Sequence, residues 1–114
     1  MRAIARLAIM TTPERQLRQA QFWRKYLRLT RAGVPVLRAL AIIAREEENA
    51  AFRDTVQALL DRIEGGATLS AAASANPAEF SAAAVELIRT AARRGAWDEV
   101  LAELADGLAE GTFR

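Results

Sequence analysis

Few side chains in this 114-residue sequence are of the types that carry out catalysis. Cysteine and histidine are both absent, which excludes disulfides, the usual zinc sites and imidazole acid–base chemistry. Ser70, Ser74 and Ser81 are candidate nucleophiles, but Lys25 is the one lysine and no base accompanies the serines. We therefore interpret the serines as helix caps and small packing residues, and the chain as non-enzymatic.

Two short segments resemble ligand sites without meeting their requirements. Glu46-Glu47-Glu48 offers the oxygen ligands that calcium or magnesium takes. Consecutive helical residues point about 100° apart, however, so the three carboxylates do not converge on one ion. Gly65-Gly66-Ala67-Thr68 lacks both the Walker spacing and a preceding strand, and we interpret it as a helix stop. We predict no metal site and no cofactor.

The basic residues are concentrated in the first part of the chain. Residues 1–45 hold ten basic residues and one acidic residue, whereas residues 46–114 hold six and thirteen, so charges of +9 and −7 give the total of +2. A basic face of this kind suits an acidic partner, nucleic acid or anionic lipid. The alternative is that two solvated faces partly neutralise each other in the fold.

One basic stretch also carries apolar side chains that suit a partner-binding surface. We predict a docking site on the outer face of the first helix, with Trp23 and Leu27 as apolar anchors. Arg24, Arg28 and Arg31 form its charged rim. Such a site suits a protein partner or a homodimer. In the alternative interpretation, Trp23 packs inward against the sixth helix.

Helical periodicity and helix-stop signals divide the chain into six helices. We predict helices at about Pro13–Ala32, Pro35–Glu48, Ala50–Glu64, Thr68 or Ser70 to Asn76, Ser81–Gly95 and Ala96–Glu110. Asn49 and Ser81 are expected N-caps, as are Thr68 or Ser70 for the fourth helix and a threonine of Thr11-Thr12-Pro13-Glu14 for the first. No strand alternation is present. The prediction is an all-α, six-helix antiparallel bundle.

The stretch from Leu29 to Leu40 ends one helix and begins the next within about three residues. Gly33 is expected to take the left-handed conformation that closes the first helix, and Pro35 to occupy the first turn of the second. The hairpin then faces Phe22, Tyr26 and Leu29 toward Leu37, Leu40 and Ile43 or Ala44. Because the second helix is apolar nearly all round, we expect it at the centre of the bundle.

We divide the chain into a lead-in (residues 1–12), a helical domain (13–110) and a tail (111–114). The longest apolar run, Ala39 to Ala44, has six residues, against the roughly 18 to 20 that span a bilayer. We expect no transmembrane segment. The sixth helix places Trp97, Leu101, Leu104 and Leu108 opposite Glu99, Glu103, Asp106 and Glu110.

From Phe22 to about Leu108 the sequence resembles the cytoplasmic F domain of type II secretion and type IV pilus platform proteins. The residues that carry the resemblance are Phe22, Leu29, Ala32-Gly33-Val34-Pro35, Leu37, Ala39-Leu40, Gly66, Leu69-Ser70, Ala72, Asn76-Pro77, Phe80, Gly95 and Asp98-Glu99-Val100-Leu101. Where the family carries a Gly-Glu pair, this chain has Ala91-Ala92, and Arg94 replaces a small polar residue. That departure removes a carboxylate and puts any family metal role in doubt.

The resemblance implies a non-catalytic scaffold at the cytoplasmic face of the bacterial inner membrane, which engages the assembly ATPase and other inner-membrane components. Two alternatives are a helical adaptor unrelated to secretion and a helix-turn-helix DNA-binding domain. The second is disfavoured because a recognition helix shows polar side chains to the groove, whereas Val36 to Ala44 offers only Arg38. We expect no nucleic acid partner.

Overall fold

The computed structural model describes residues 13–111, and this part of the chain forms six α-helices and no strand. The helices are α1 (Pro13–Arg31), α2 (Val36–Glu46), α3 (Ala50–Glu64), α4 (Leu69–Ser74), α5 (Ala82–Arg94) and α6 (Trp97–Glu110). The predicted all-α, six-helix bundle is confirmed. The lead-in (1–12), with the cap expected at Thr11 or Thr12, and residues 112–114 of the tail lie outside the described residues.

Three helices begin with the side-chain caps expected from the sequence. Asn49 accepts a hydrogen bond from the Phe52 backbone N–H at 2.9 Å. Thr68 and Ser81 accept equivalent bonds from the N–H groups of Ala71 and Ala84, both at 3.2 Å. Each cap satisfies a donor that the first helical turn leaves without a partner, so these three boundaries are fixed by local chemistry.

Four helices end in a glycine turn, and three of these turns, those after α1, α3 and α5, lie at one end of the bundle, which we call the corner end. At the first, Gly33 has φ +93°. The Val34 N–H donates to the Leu29 carbonyl and the Gly33 N–H to the Thr30 carbonyl, both at 3.0 Å. This pair of bonds is the Schellman motif, which confirms that Gly33 closes α1 in a left-handed conformation. Gly66 and Gly95 also have positive φ at the ends of α3 and α5.

The second helix is shorter and more peripheral than the sequence indicates. Pro35 has ψ 152° and is the N-cap, so α2 begins at Val36 rather than in a turn that contains Pro35. The helix ends at Glu46, because Glu47 is already extended. α2 packs on α1 and α3 and leaves Val36, Leu37, Arg38 and Ala41 exposed. The prediction that α2 is central is therefore wrong.

Leu37 is the clearest sign of this peripheral position. It is 37% exposed, as Val36 is 39% exposed, whereas Leu40 and Ile43 are buried. The apolar stripe of α2 continues through its first turn, but Leu37 lies at the side of that stripe and is left exposed at the corner end. The prediction that Leu37 packs in the hairpin is corrected for this reason.

The first helix has neighbours on two sides. Its most extensive contact is with α6, and it also packs on α2. Phe22 meets Phe52 of α3 edge to face, with ring centroids 5.6 Å apart. Trp23 lies edge to face with Phe80 at 6.0 Å. α1 is therefore the element around which the core is built.

Candidate partner-binding site

The three arginines predicted as a charged rim form a row along the exposed side of α1, beside α6. Arg24 donates to Asp106 at 3.1 Å, and Arg31 donates to Asp98 at 3.3 Å. Because Asp98 begins α6 and Asp106 lies near its end, the two ion pairs fix α1 and α6 antiparallel. We call Arg24, Arg28 and Arg31 the arginine row.

Arg28 lies between the two paired arginines, one turn from each along the helix. It is exposed, and no carboxylate within residues 13–111 pairs with it. Its neighbours already satisfy Asp98 and Asp106. Arg28 is therefore the residue of the row whose guanidinium has no carboxylate partner in this part of the chain. A guanidinium binds a carboxylate through two parallel hydrogen bonds.

The apolar anchors proposed for this surface are not at the surface. Trp23 is 0% exposed and Leu27 is 6% exposed. Trp23 packs in a cluster with Phe22, Tyr26 and Phe80. The placement of Trp23 and Leu27 on an outer face is thus wrong, and the inward alternative for Trp23 is correct. On an isolated wheel these residues lie on a flank, but in the bundle that flank is covered, by Phe80 at Trp23 and by residues of α6 at Leu27.

A shallow cleft of about 420 Å³ runs along the arginine row. Its apolar lining comes from Leu27, Ala102 and Ala105, and its polar lining from the three arginines and Asp106. The cleft exists because two alanines of α6 stand opposite α1 and leave space that larger side chains fill elsewhere. Such a surface suits a protein segment that brings a carboxylate and a small apolar side chain.

The charge imbalance between the two parts of the chain is reduced by the fold. Beyond the two pairs with α6, Arg15 pairs with Glu79 at 3.4 Å and Lys25 pairs with Glu46. The hydrogen bond and charge of Lys25 lower the pKa of Glu46. The first part of the chain thus supplies cations to acids of the second. These four ion pairs are the partial neutralisation between basic and acidic faces that the alternative interpretation of the charge pattern predicted.

The three candidate serine nucleophiles lie at helix ends and make only local contacts. Ser81 caps α5, and the Ser74 hydroxyl donates to the Ala71 carbonyl at 2.9 Å. Ser70 lies 3.3 Å from the Thr68 hydroxyl. None of these bonds involves an amine or a carboxylate, so the arrangement activates no hydroxyl. Residues 13–111 also contain no group of three acidic side chains close enough together to bind a metal ion.

A second and larger cleft, of about 520 Å³, opens at the corner end. We call it the corner cleft. Sequence reasoning missed it because its walls come from all six helices or the turns that join them. Its apolar lining includes Tyr26, Val36, Ile63, Leu69, Trp97 and Leu101. Burial raises the pKa of Tyr26 to about 12.

Comparison with known proteins identifies the family to which this arrangement of helices belongs. The family model described as type II secretion system (T2SS), protein F, matches residues 22–112. The chain belongs to this family. The match begins at Phe22, where the sequence resemblance also begins. It includes the three glycine turns of the corner end, both sides of the α1–α6 contact and both clefts.

The individual relatives are type IV pilus assembly proteins. A type IV pilus assembly protein PilC from Thermus thermophilus is 36% identical over 89 residues, which are 78% of this chain and 22% of that protein. The protein TapC from Aeromonas hydrophila is 31% identical over 74 residues, 65% of this chain and 18% of its own. A PilC from Myxococcus xanthus is 29% identical over 84 residues. The chain therefore spans about a fifth of the length of these relatives.

None of the helices within residues 13–111 has the length and apolar character of a membrane-spanning segment.

Proposed function

We propose that this protein F-family domain is a non-catalytic interaction module of a type II secretion or type IV pilus assembly platform. It acts at the cytoplasmic face of the inner membrane and engages the assembly ATPase together with other components of the platform. The names of the relatives, which are pilus-assembly proteins, support this role. The absence of an activated nucleophile among the described hydroxyls supports binding rather than chemistry.

We place the docking of the ATPase on the arginine row. The observation that carries this proposal is the position of Arg28 between two arginines that Asp98 and Asp106 hold in place. Because the flanking side chains are already ordered, a partner that binds Arg28 meets a surface whose side-chain entropy is partly lost in advance. Charged groups on such a rim mainly steer association and select the partner.

The test is binding of the purified domain to the assembly ATPase encoded with it. Arg28→Glu is expected to weaken binding by about tenfold or more, because it reverses the charge that faces the incoming carboxylate. Arg89→Glu is a matched control, since Arg89 is also an exposed helical arginine but lies on α5. Equal binding by the wild type and the Arg28 variant overturns the placement on the arginine row.

A second copy of the chain is the other candidate occupant. The exposed side of α6 next to the arginine row carries Glu99, Glu103, Asp106 and Glu110, so two copies related by a twofold axis bring basic and acidic rows together. Light scattering across a concentration series tests this. A dimer that Arg28→Glu dissociates assigns the row to self-association and removes the ATPase from this surface.

A further inference from the structure

The corner end differs in charge from the opposite end of the bundle. Six arginines and four acids lie in the helical turns that meet at the corner end, namely Arg28, Arg31, Arg38, Arg62, Arg93, Arg94, Asp61, Glu64, Asp98 and Glu99. Within residues 13–111, the opposite end with its connecting segments holds three basic residues and six acids, namely Arg15, Arg45, Arg53, Glu14, Glu46, Glu47, Glu48, Glu79 and Glu110. This part of the chain is thus basic at one end of the bundle and acidic at the other.

Most of the corner-end arginines have no acidic partner among the described residues. Arg31 pairs with Asp98. Arg38, Arg62, Arg93 and Arg94 are all exposed and pair with no carboxylate in residues 13–111. They come from three different helices, so no local helical pairing accounts for their common position.

The same end exposes apolar surface. Val36 and Leu37 are two of the three large apolar side chains exposed in the described part of the chain, and Leu17 on α1 is the third. Val36 also forms one wall of the corner cleft. The cleft volume of about 520 Å³ lies within the range of roughly 300–1,000 Å³ in which proteins bind small ligands or large side chains.

Trp97 connects the cleft to the surface. It is only partly buried and lines the cleft together with Tyr26 and Ile63. A partly exposed tryptophan beside an apolar opening is the type of residue that dominates protein interfaces, because its ring supplies a large contact area at low entropic cost.

From these observations we propose that the corner cleft is a second docking site, which takes an acidic protein segment with a large apolar side chain as its anchor. The anchor enters the cleft between Val36 and Trp97. The acidic residues of the segment contact unpaired arginines of the same end, such as Arg38, Arg62 and Arg94, which do not line the cleft itself. The one charged residue of the lining, Asp98, is already paired with Arg31. Charge complementarity selects this occupant. The site adjoins the arginine row, because Asp98 pairs with Arg31 and also lines the cleft, but it is independent of the identity of the ATPase.

The proposal is tested with synthetic peptides and the purified domain. The probe is an 18-residue helical peptide (on the order of five turns) of glutamate with leucine at every third or fourth position. Its two counterparts have lysine in place of glutamate, or serine in place of leucine. Only the glutamate–leucine peptide is expected to bind and to shift the emission of Trp97 to shorter wavelength. Equal binding of the lysine–leucine peptide, or no binding by any peptide, overturns the proposal.

Two pairs of variants locate the binding site. The double variant Val36→Ser and Leu37→Ser is expected to weaken peptide binding by about tenfold or more, while Leu17→Ser changes it by less than about twofold. The double variant Arg38→Glu and Arg94→Glu is expected to weaken peptide binding as much as the serine double variant does. Its control, Arg45→Glu with Arg53→Glu at the opposite end of the bundle, is expected to change peptide binding little. If both control variants weaken binding as much as their counterparts, the corner cleft is not the site.

Other occupants give different results. Binding to phosphatidylglycerol vesicles or duplex DNA, with no binding to the acidic peptide, overturns the proposal in favour of a lipid or nucleic acid surface. Self-association that Leu37→Ser abolishes assigns the cleft to a second copy and also overturns it. If the peptide binds but the assembly ATPase does not, the corner cleft stands and the proposed ATPase docking fails.

Discussion

The first two helices are neighbours in sequence and in space, yet they contribute differently to the core. α2 is the more apolar of the two, but it packs on α1 and α3 and exposes Val36 and Leu37. α1 carries seven charged residues and is nevertheless the helix against which the core forms. The apolar content of a helix thus predicts that it is buried on some side, whereas tertiary packing decides which of its side chains are buried.

The difference follows from helix length and from the position of α6. α1 has 19 residues and α2 has 11, so α1 extends past its neighbour and is long enough to receive α6 along its second side. Leu27 lies beside Ala102 and Ala105 of α6, while Trp23 is buried against Phe80. A helix with two apolar flanks separated by one largely polar stripe fits this position, since only that stripe, which begins at Glu14, Leu17 and Gln21 and continues into the arginine row, is left to face solvent.

The largest expected effect tests whether α1 is the core helix. Trp23→Ala is expected to lower the free energy of unfolding by about 3–5 kcal/mol, because it removes a fully buried indole and leaves a cavity. Urea denaturation followed by circular dichroism measures this. Trp23→Phe is the matched control and is expected to cost less, since the ring is retained and the indole Nε1 has no hydrogen-bond partner within residues 13–111. A loss below about 1 kcal/mol for Trp23→Ala contradicts the core position of α1.

The next effect concerns the turn that joins the two helices. Gly33→Val is expected to cost about 1–3 kcal/mol, because a β-branched side chain at φ +93° is strained. The added Cβ meets no atom within 4 Å, so the cost is conformational rather than a clash. Gly33→Asn is expected to cost less, because asparagine tolerates positive φ better. Equal thermal midpoints for wild type and the valine variant argue against the left-handed turn.

A pH-dependent effect tests the burial of the inner face of α1. Burial raises the pKa of Tyr26 to about 12, so above pH 10 the phenol of the unfolded chain ionises while that of the folded chain stays neutral. The unfolded state then binds fewer protons, and stability falls as pH rises from about 10 toward 12. Between pH 10 and 11, wild type is expected to lose about 1 kcal/mol more than Tyr26→Phe. Parallel pH profiles for the two proteins contradict a buried phenol.

A smaller effect tests the exposed end of α2. Leu37→Ala is expected to change the free energy of unfolding by no more than about 0.5 kcal/mol, because the side chain is already partly in solvent. Leu40→Ala, one turn further along the same helix, is the internal comparison and is expected to cost about 2–5 kcal/mol. Similar losses at the two positions, measured by denaturant midpoints, place the whole of α2 in the core.

The smallest effect concerns the ion pair between the two helices. The hydrogen bond and charge of Lys25 lower the pKa of the Glu46 carboxyl. The stabilisation is therefore present above the ordinary glutamate pKa, and it is lost as pH falls through the lowered value. Carbon-detected NMR titration is expected to show an upward shift of the Glu46 midpoint in Lys25→Ala. An unchanged midpoint shows that the pair does not form in solution.

The helices and their boundaries were predictable from sequence because local chemistry determines them. Asn49, Thr68 and Ser81 are short polar side chains that cap a helix with their own oxygen, and Gly33 closes one with a backbone conformation that other residues resist. These effects act over about four residues. The end of α2 was predicted two residues too late, because Glu46-Glu47-Glu48 contains no glycine, proline or other residue that stops a helix.

The candidate site was predictable only in part. Arg24, Arg28 and Arg31 are exposed, as their spacing on a helix wheel indicates. Their role in partner binding stays a prediction. Trp23 and Leu27 were misplaced because a wheel treats all flanks of a helix alike until it is known which one a neighbour covers. The corner cleft gave no sequence signal, since its lining residues range from Tyr26 to Leu101.

The sequence by itself determined the secondary structure, the lack of histidine and cysteine chemistry, and the resemblance to the protein F family, because each depends on residue types or short spacings. Tertiary structure decided which helix is central, which side of α1 is buried and where uncompensated arginines gather. Those properties depend on contacts between residues as far apart as Arg24 and Asp106, and the free energy of such contacts exists only once the helices have packed.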